Sequence, residues 1–204
     1  AQTEQKNQNV KKQFEELQSL LERAMALQTS MVLFELDDEP LAPQGAAEHT
    51  ARVIGSLSEQ YQEILASMRF KELLDICQKA EKENVGIFDE VQSAILREAA
   101  EEQERLSCIP PEEYRAYAEL TARATGIWTR AREKNDFASF APVLKEIISY
   151  QKKFAAYRAK PGQKLYDVML DTYEKGFNME MLDPFFELMK GKIVPLLKES
   201  AERS

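Results

Sequence analysis

Apolar residues recur every three or four positions along most of the chain, and this spacing constrains the fold more than any other feature of the sequence. The first run continues to about Phe34, and its apolar positions include Val10, Phe14, Leu17 and Leu21. Such residues share one face of a helix, whereas no segment of useful length alternates like a half-buried strand. Glycine is also scarce, at 7 of 204 residues, which favours helices over sheets.

Prolines, glycines and short polar segments divide this pattern into separate helices. The predicted helical runs are, in chain order, residues 10–34, 53–68 continuing into 73–77 after a possible break, 87–99, 111–131, 142–154, 166–171 and 182–193. Pro111 and Pro142 are expected near helix starts, and Asn178 is expected to cap the last helix. The stripe at 111–131 predicts that Trp128 points inward, and the charged run 101–105 predicts a solvated helix face. The sequence thus predicts an all-α fold of about seven helices, forming a helical lobe with no significant sheet.

The charge and the cysteine pattern exclude several classes of partner. A formal net charge of −8 without a basic stripe argues against nucleic acid. No run approaches the roughly 18–20 apolar residues of a membrane span, and residues 1–12 lack the apolar core of a signal peptide. Cys77 and Cys108 lack C-x-x-C spacing, so we expect reduced cysteines. These features predict a soluble, cytoplasmic protein without membrane or nucleic-acid partners.

Familiar catalytic patterns are absent from the sequence. His49 is the one histidine, and no nucleophile-elbow motif accompanies it, so it supports no catalytic triad and we expect a partly exposed helix residue. No glycine-rich phosphate loop occurs. The acidic residues between 35 and 39 lack the alternating ligands and glycine of a calcium loop, so they are interpreted as a solvated connector.

Two ordered blocks of residues stand out from the helical pattern. The first, residues 128–144, reads W-T-R-A-R-E-K-N-D-F-A-S-F-A-P-V-L. The second, residues 166–176, reads Y-D-V-M-L-D-T-Y-E-K-G, and L-D-P-F-F at 182–186 and V-P-L-L at 194–197 follow it. In composition, order and spacing these blocks resemble the carboxypeptidase Taq family of zinc metallocarboxypeptidases. A thinner resemblance earlier in the chain rests on Asp37, Glu39, Pro43, Gly45, Ala46 and Arg52.

The resemblance implies a parent enzyme that removes single residues from peptide C termini with a metal-activated water. In that family the zinc site lies on an H-E-x-x-H helix beyond the second block, and an H-E-x-x-H helix needs two histidines at i and i+4. This chain, with one histidine, cannot hold that site. We therefore expect residues 1–204 to be a single domain, the amino-terminal substrate-cleft lobe, with a possible sub-boundary near 106–111. It would contain no catalytic residue, metal ligand or cofactor of its own, while the parent would use zinc or another divalent metal.

Several interpretations of the function are open at this point. Leu36, Asp38, Ala42 and Lys175 depart from the family pattern, so the chain could instead be a degenerate, non-enzymatic helical interaction module, and whether it belongs to an active enzyme stays open. A third alternative is an unrelated helical bundle whose match is accidental. The expected partners are a downstream catalytic lobe, a peptide substrate bound through the parent, and a second copy in a homo-oligomer such as a dimer.

Four residues are candidates for a cleft or for a contact between domains. Arg132 could bind a carboxylate through its guanidinium, or it could pair with Asp136 where Asn135 or Asp136 caps the following helix. Tyr173 and Glu174 fall at a turn between two helices, where functional residues concentrate. None of the four is expected to be catalytic or to bind a metal, and the sequence offers no other residue for either role.

Overall fold

The computed structural model describes residues 2–38 and 46–203, except for the side chains of residues 2, 3, 35, 37 and 38. The described ranges contain eight helices and no strand. The helices are, in chain order, α1 (Gln2–Asp38), α2 (Ala47–Leu65), α3 (Met68–Glu83), α4 (Glu90–Ser107), α5 (Pro111–Glu133), α6 (Phe137–Arg158), α7 (Leu165–Tyr173) and α8 (Met179–Glu202). The predicted all-α class is confirmed, while the proline-rich connector after α1 lies outside the described residues. The interpretation of residues 35–39 as a connector is wrong for residues 35–38, which belong to α1, and Glu39 lies outside the described residues.

The helix count exceeds the predicted number because the possible break in the second apolar run is real. Ser67 has an extended backbone, and its side chain accepts a hydrogen bond from the N–H of Phe70 at 3.2 Å. This is N-capping, which supplies a partner to an amide that the first turn leaves free. The prediction that Pro142 begins a helix is wrong, because α6 already begins at Phe137 and carries Pro142 inside it.

The chain divides into two compact units, Ala1–Ile148 and Ser149–Ser204. The predicted sub-boundary near 106–111 falls at the connection between α4 and α5, within the first unit. In that unit α2 is central, since it packs against α1, α3, α4 and α5. In the part of the chain that the structure describes, no helix is both long enough and apolar enough to span a bilayer.

The core of the first unit lies where α1, α2, α3 and α4 meet. Phe14 and Phe88 stack in a tilted arrangement with ring centroids 4.9 Å apart. Complete burial of a large apolar side chain contributes about 1.5–3 kcal/mol, so a few such residues supply much of a domain's net stability. The large apolar side chains without measurable exposure are Leu17, Phe70, Leu73 and Leu96.

One buried amide fixes the connection between α4 and α5. The side-chain amide nitrogen of Gln62 donates to the carbonyl oxygens of Leu106 at 3.1 Å and Ile109 at 2.6 Å. Gln62 itself is almost completely buried in α2. A buried backbone carbonyl without a donor is costly, so this amide stabilises the end of α4 and the start of the α4–α5 connection together.

The crossing of α2 and α5 depends on a residue without a side chain. A Cβ atom added to Gly55 would lie 2.3 Å from Cγ of Glu119, so no larger residue fits unless Glu119 moves. Arg115 holds Glu119 in place with a 3.0 Å bond from Nε, and it reaches Glu59 on α2 at 2.9 Å. The close approach and the ion pairs therefore occur at the same crossing.

The charged run 101–105 is more than a solvated face, contrary to the sequence interpretation. The hydroxyl of Tyr61 lies 3.2 Å from a carboxylate oxygen of Glu102, which also pairs with Arg105. Burial, and then the negative charge of Glu102, raise the pKa of the Tyr61 hydroxyl. Tyr61 therefore stays protonated and donates to Glu102.

The second unit contains the end of α6 together with α7 and α8. Its buried apolar residues are Phe154, Ala155 and Val168. Along α8, residues 179–202, no residue is buried, although the helix is rich in large apolar side chains. The second unit thus holds far fewer buried side chains than the first.

Candidate functional site

The last turn of α5 carries the first candidate. The guanidinium of Arg132 lies over the ring of Trp128, with 5.1 Å between its central carbon and the ring centroid. Both side chains are exposed, Trp128 to 44%. A guanidinium stacked on an aromatic face gains a cation–π attraction and still presents its N–H groups at its edge. The pair could therefore receive a carboxylate.

The predicted ion pair between Arg132 and Asp136 does not form, since the turn directs Asp136 to another partner. Asn135 has a positive φ of 51°, and the N–H of Asp136 then reaches the carbonyl of Ala131 at 2.7 Å. This reversal ends α5. Asp136 is therefore placed to begin α6 rather than to continue the surface of α5.

Asp136 caps the first turn of α6, as one of the sequence interpretations held. One of its carboxylate oxygens accepts the N–H of Ser139 at 3.2 Å, and the other accepts the Ser139 hydroxyl. These two bonds, the hydroxyl first, hold the pKa of the Asp136 carboxyl below its ordinary value. A carboxylate at a helix N terminus also faces the positive end of the helix dipole. Asp136 thus positions the α5–α6 turn.

The inward orientation predicted for Trp128 is wrong. Ala124 and Ala131 on the same helix are buried as the stripe predicts, whereas Trp128 is nearly half exposed. Periodicity identifies the residues that share a face but not how completely each position on that face is covered. Because its ring is exposed and Arg132 stacks on it, Trp128 becomes part of the candidate site, whereas the sequence favoured a core position over a role as a ligand platform.

The second candidate region is the connection between α7 and α8, where two carboxylates bind backbone. Asp171 accepts the N–H of Gly176 at 2.8 Å, and Asp167 accepts the N–H of Met179 at 2.9 Å. Asn178 caps α8 as predicted, accepting from Met181 at 3.0 Å. The acids of the Y-D…L-D pattern therefore hold this turn together. Their spacing from Gly176 and from the start of α8 is the signal that could have revealed this role.

Tyr173 and Glu174 lie on the outside of the same connection. Tyr173 is the last residue of α7 and is 81% exposed, while Glu174 is the C-cap, with its N–H bonded to the Leu170 carbonyl at 2.9 Å. The predicted turn position is confirmed. Because Arg132 and Asp136 belong to the first unit, and Tyr173 and Glu174 to the second, each pair is a separate candidate.

The residues that the structure describes do not fit a metal ion. Across residues 2–38 and 46–203 no group of three or more His, Cys, Asp or Glu side chains has a metal-binding arrangement. His49 is exposed near the start of α2. Cys77 and Cys108 are both free, and burial raises the pKa of the Cys77 thiol to about 11. A thiol with that pKa is inert at neutral pH.

Comparison with known proteins agrees with the two sequence blocks. The family model of carboxypeptidase Taq (M32) metallopeptidases matches residues 16–204. Carboxypeptidase 1 of Bacillus subtilis is 32% identical over 180 residues, covering 88% of this chain and 35% of the relative. Thermostable carboxypeptidase 1 of Pyrococcus furiosus is also 32% identical, over 148 residues, covering 72% of this chain and 28% of the relative.

The fold agrees as well. The BsuCP crystal structure superposes with a TM-score of 0.86 at 31% identity, covering 92% of this chain and 37% of that one. A structural match over most of the chain, together with a family match over residues 16–204, leaves no room for an accidental resemblance. The chain belongs to the carboxypeptidase Taq (M32) metallopeptidase family. It spans about a third of the length of the curated relatives that it matches.

Proposed function

We propose that this chain forms the helical lobe of a metal-dependent carboxypeptidase that removes residues from peptide C termini. The observation that carries the proposal is the family match over residues 16–204, which includes both sequence blocks. The described side chains offer no metal site, so the lobe contributes shape and substrate contacts, and a downstream catalytic part holds the zinc or other divalent metal. The proposal extends to a cytoplasmic location and a homo-oligomeric parent.

Arg132 is the residue in the lobe best suited to bind a peptide carboxylate. Its guanidinium is exposed and supported by the Trp128 ring, and it is not engaged by Asp136. A guanidinium binds a carboxylate through two parallel N–H bonds. Asp136 acts indirectly, by fixing the turn that ends α5 next to this side chain. We therefore assign Arg132 to the substrate cleft and Asp136 to its support.

Tyr173 and Glu174 are proposed as contacts with substrate or with the downstream part. Both are exposed, and the bonds that shape their turn are made by Asp167 and Asp171 instead. A residue that contributes little to its own turn can be replaced without loss of fold. Glu174 should accordingly affect turnover more than stability.

A second candidate function is a non-enzymatic helical interaction module derived from this family. Four departures from the family pattern, including Lys175 in the second block, favour it. The row of exposed apolar side chains on α8 would provide the binding surface. The two functions differ in whether the full-length protein releases C-terminal amino acids.

The decisive experiment measures release of C-terminal amino acids from a model peptide. Full-length protein loaded with zinc should release them, and a chelator should abolish the release, whereas residues 1–204 alone should show neither release nor stoichiometric zinc after dialysis. Zinc retention by residues 1–204, or inactivity of the metal-loaded full-length protein, would contradict the proposal.

The role of Arg132 is tested by comparing its substitution with the substitution of a neighbouring arginine on the same turn. Arg132→Ala in the full-length enzyme should raise KM about tenfold or more, because a charge-assisted bidentate contact contributes about 1.5–3 kcal/mol. Arg130→Ala is the matched control, since Arg130 is also exposed in the last turn of α5, and it should change KM little. Equal effects of the two substitutions on KM would contradict the assignment of Arg132 to the substrate cleft.

A further inference from the structure

Four exposed side chains near the end of α5 form one surface patch, which we call the α5 patch. Its members are Thr125, Trp128, Thr129 and Arg132, and each lies three or four positions along the helix from two of the others. Residues at these spacings are neighbours on a helix surface. The ring of Trp128 carries the guanidinium of Arg132. The patch therefore combines an aromatic surface, a cation and two hydroxyls.

The two hydroxyls of the α5 patch have their protons engaged by the helix itself. The Thr129 hydroxyl donates to the carbonyl of Thr125 at 3.0 Å, and the Thr125 hydroxyl donates to the carbonyl of Thr121 at 3.4 Å. A hydroxyl whose proton is engaged still offers lone pairs, so toward a ligand both threonines act as acceptors. The patch can thus accept N–H groups, such as peptide amides, beside a guanidinium that donates to an anion.

The guanidinium of Arg132 is available to an anion from outside the chain. Arg115 and Arg123 on the same helix each pair with a glutamate on α2, whereas no carboxylate in the part of the chain that the structure describes pairs with Arg132. A guanidinium binds a carboxylate through two parallel, charge-assisted bonds. The α5 patch therefore matches an acidic residue within a peptide, whose carboxylate suits the guanidinium and whose backbone N–H groups suit the hydroxyls.

A peptide offers two kinds of carboxylate, and the position of the α5 patch favours that of a side chain. In a carboxypeptidase substrate the terminal carboxylate lies within about 4 Å of the carbonyl carbon that is attacked, because the two belong to adjacent residues. A group that binds the terminal carboxylate must therefore lie beside the catalytic metal. The described residues form no metal-binding group, at the patch or elsewhere. An acidic side chain upstream of the cleaved bond can lie further from the metal, within reach of the lobe.

We propose that the α5 patch is a subsite for an aspartate or glutamate side chain of the peptide substrate. Arg132 binds the side-chain carboxylate, Trp128 supports the guanidinium and packs against the peptide, and the two threonines accept backbone N–H groups. This inference rests on the proposed function for the identity of the ligand as a substrate, but binding at the patch requires neither metal nor turnover. We expect the enzyme to prefer peptides with an acidic residue upstream of the cleaved bond.

Binding is measured through the fluorescence of Trp128, which is the only tryptophan among the 204 residues. The probes are two short peptides, acetylated and amidated so that neither has a terminal charge, which differ only in a central Glu or Gln. The Glu peptide should bind residues 1–204 about tenfold or more tightly than the Gln peptide, because only its carboxylate forms charge-assisted bonds with the guanidinium. Arg132→Gln should abolish this difference. Arg130→Gln, the matched control on nearly the opposite side of α5, should preserve it.

A third peptide, with the Gln sequence and a free C-terminal carboxylate, distinguishes the two sources of the carboxylate. If it binds more tightly than the amidated Glu peptide, Arg132 binds the terminal carboxylate and the proposal is overturned. Equal binding of the amidated Glu and Gln peptides, or equal effects of the two arginine substitutions, would also overturn it.

Turnover by the full-length, zinc-loaded enzyme separates this proposal from the proposed function. The value of kcat/KM should be about tenfold higher for peptides with Glu than for those with Gln upstream of the cleaved bond, and Arg132→Gln should remove this preference. Turnover without the preference would overturn the subsite alone. If no C-terminal amino acid is released from any peptide, the proposed function fails, and the fluorescence titration still decides whether the α5 patch binds an acidic side chain.

Discussion

The two units of the chain are both helical, but they bury their apolar side chains to different extents. In Ala1–Ile148, helices α1 to α4 share an interior in which Phe70, Leu73 and Leu96 have no measurable exposure. In Ser149–Ser204, α8 has no buried residue, and the connection before it is held by side chains that bind backbone amides. The first unit is stabilised by burial, whereas the second is shaped by local hydrogen bonds. The difference shows that a sequence can specify a regular helix without supplying the tertiary packing that stabilises it.

The largest expected difference between the units comes from truncating the same residue type in each. Leu73→Ala should lower the free energy of unfolding by about 2–5 kcal/mol, because Leu73 is fully buried and its loss leaves a cavity. Leu188→Ala should change it by less than about 0.5 kcal/mol, because Leu188 is 59% exposed. Urea denaturation of both variants measures this. Similar losses would mean that the two units are stabilised in the same way.

Replacing a glycine by alanine should change stability in opposite directions in the two units. Gly55→Ala should destabilise the first unit by about 1–3 kcal/mol, because the new Cβ atom overlaps Glu119. Gly191→Ala should stabilise α8 by up to about 1 kcal/mol, because nothing lies within 4 Å and alanine is the better helix former. Thermal unfolding measures the first effect, and amide hydrogen exchange along α8 measures the second.

The Gly55 prediction has its own control. In the double variant Gly55→Ala, Glu119→Ala the clash disappears, so part of the lost stability should return despite the loss of the bond to Arg115. If the double variant is less stable than Gly55→Ala alone, the ion pair matters more than the close approach of the helices.

The smallest expected effect concerns the two helix caps. Ser67→Ala and Asn178→Ala each remove a side-chain acceptor of a first-turn amide, at a cost of about 0.5–2 kcal/mol. For Ser67 the loss should appear in global unfolding, because α3 is part of the core. For Asn178 it should appear as faster hydrogen exchange confined to α8. Global destabilisation by Asn178→Ala would show that α8 unfolds together with the first unit.

Much of the fold was predictable because helix-forming signals are local. The apolar spacing predicted the helices, Pro111 predicted the start of α5, and Asn178 predicted the cap of α8. The break between α2 and α3 was expected only as a possibility, since it depends on whether Ser67 caps a new helix or remains inside an old one. Pro142 was misinterpreted as a helix start because proline favours the first turn, whereas α6 begins after Asp136, which the sequence offered only as one of two possible caps.

The candidate site was less predictable, because it depends on which positions of a helix its neighbours cover. Trp128 has the spacing of a core residue and lies between the buried Ala124 and Ala131, but α5 is only partly covered at its position. The bond between Glu102 and Tyr61 joins residues 41 positions apart, and neither local sequence indicates the other. The turn position of Tyr173 and Glu174 was predictable, since Gly176 and the cap residue Asn178 follow them closely. Their surroundings depend on tertiary structure that no local pattern contains.

The buried amide of Gln62 has a consequence for the length of the α4–α5 connection. Its two N–H groups bind carbonyls three residues apart, at Leu106 and Ile109. The amide therefore restricts the number of residues between the two carbonyls. If a residue were inserted or deleted between those positions, at least one carbonyl would lie out of reach of the amide nitrogen. We expect loop grafting to fail at this connection even though it lies between two helices, where a change of loop length is ordinarily tolerated.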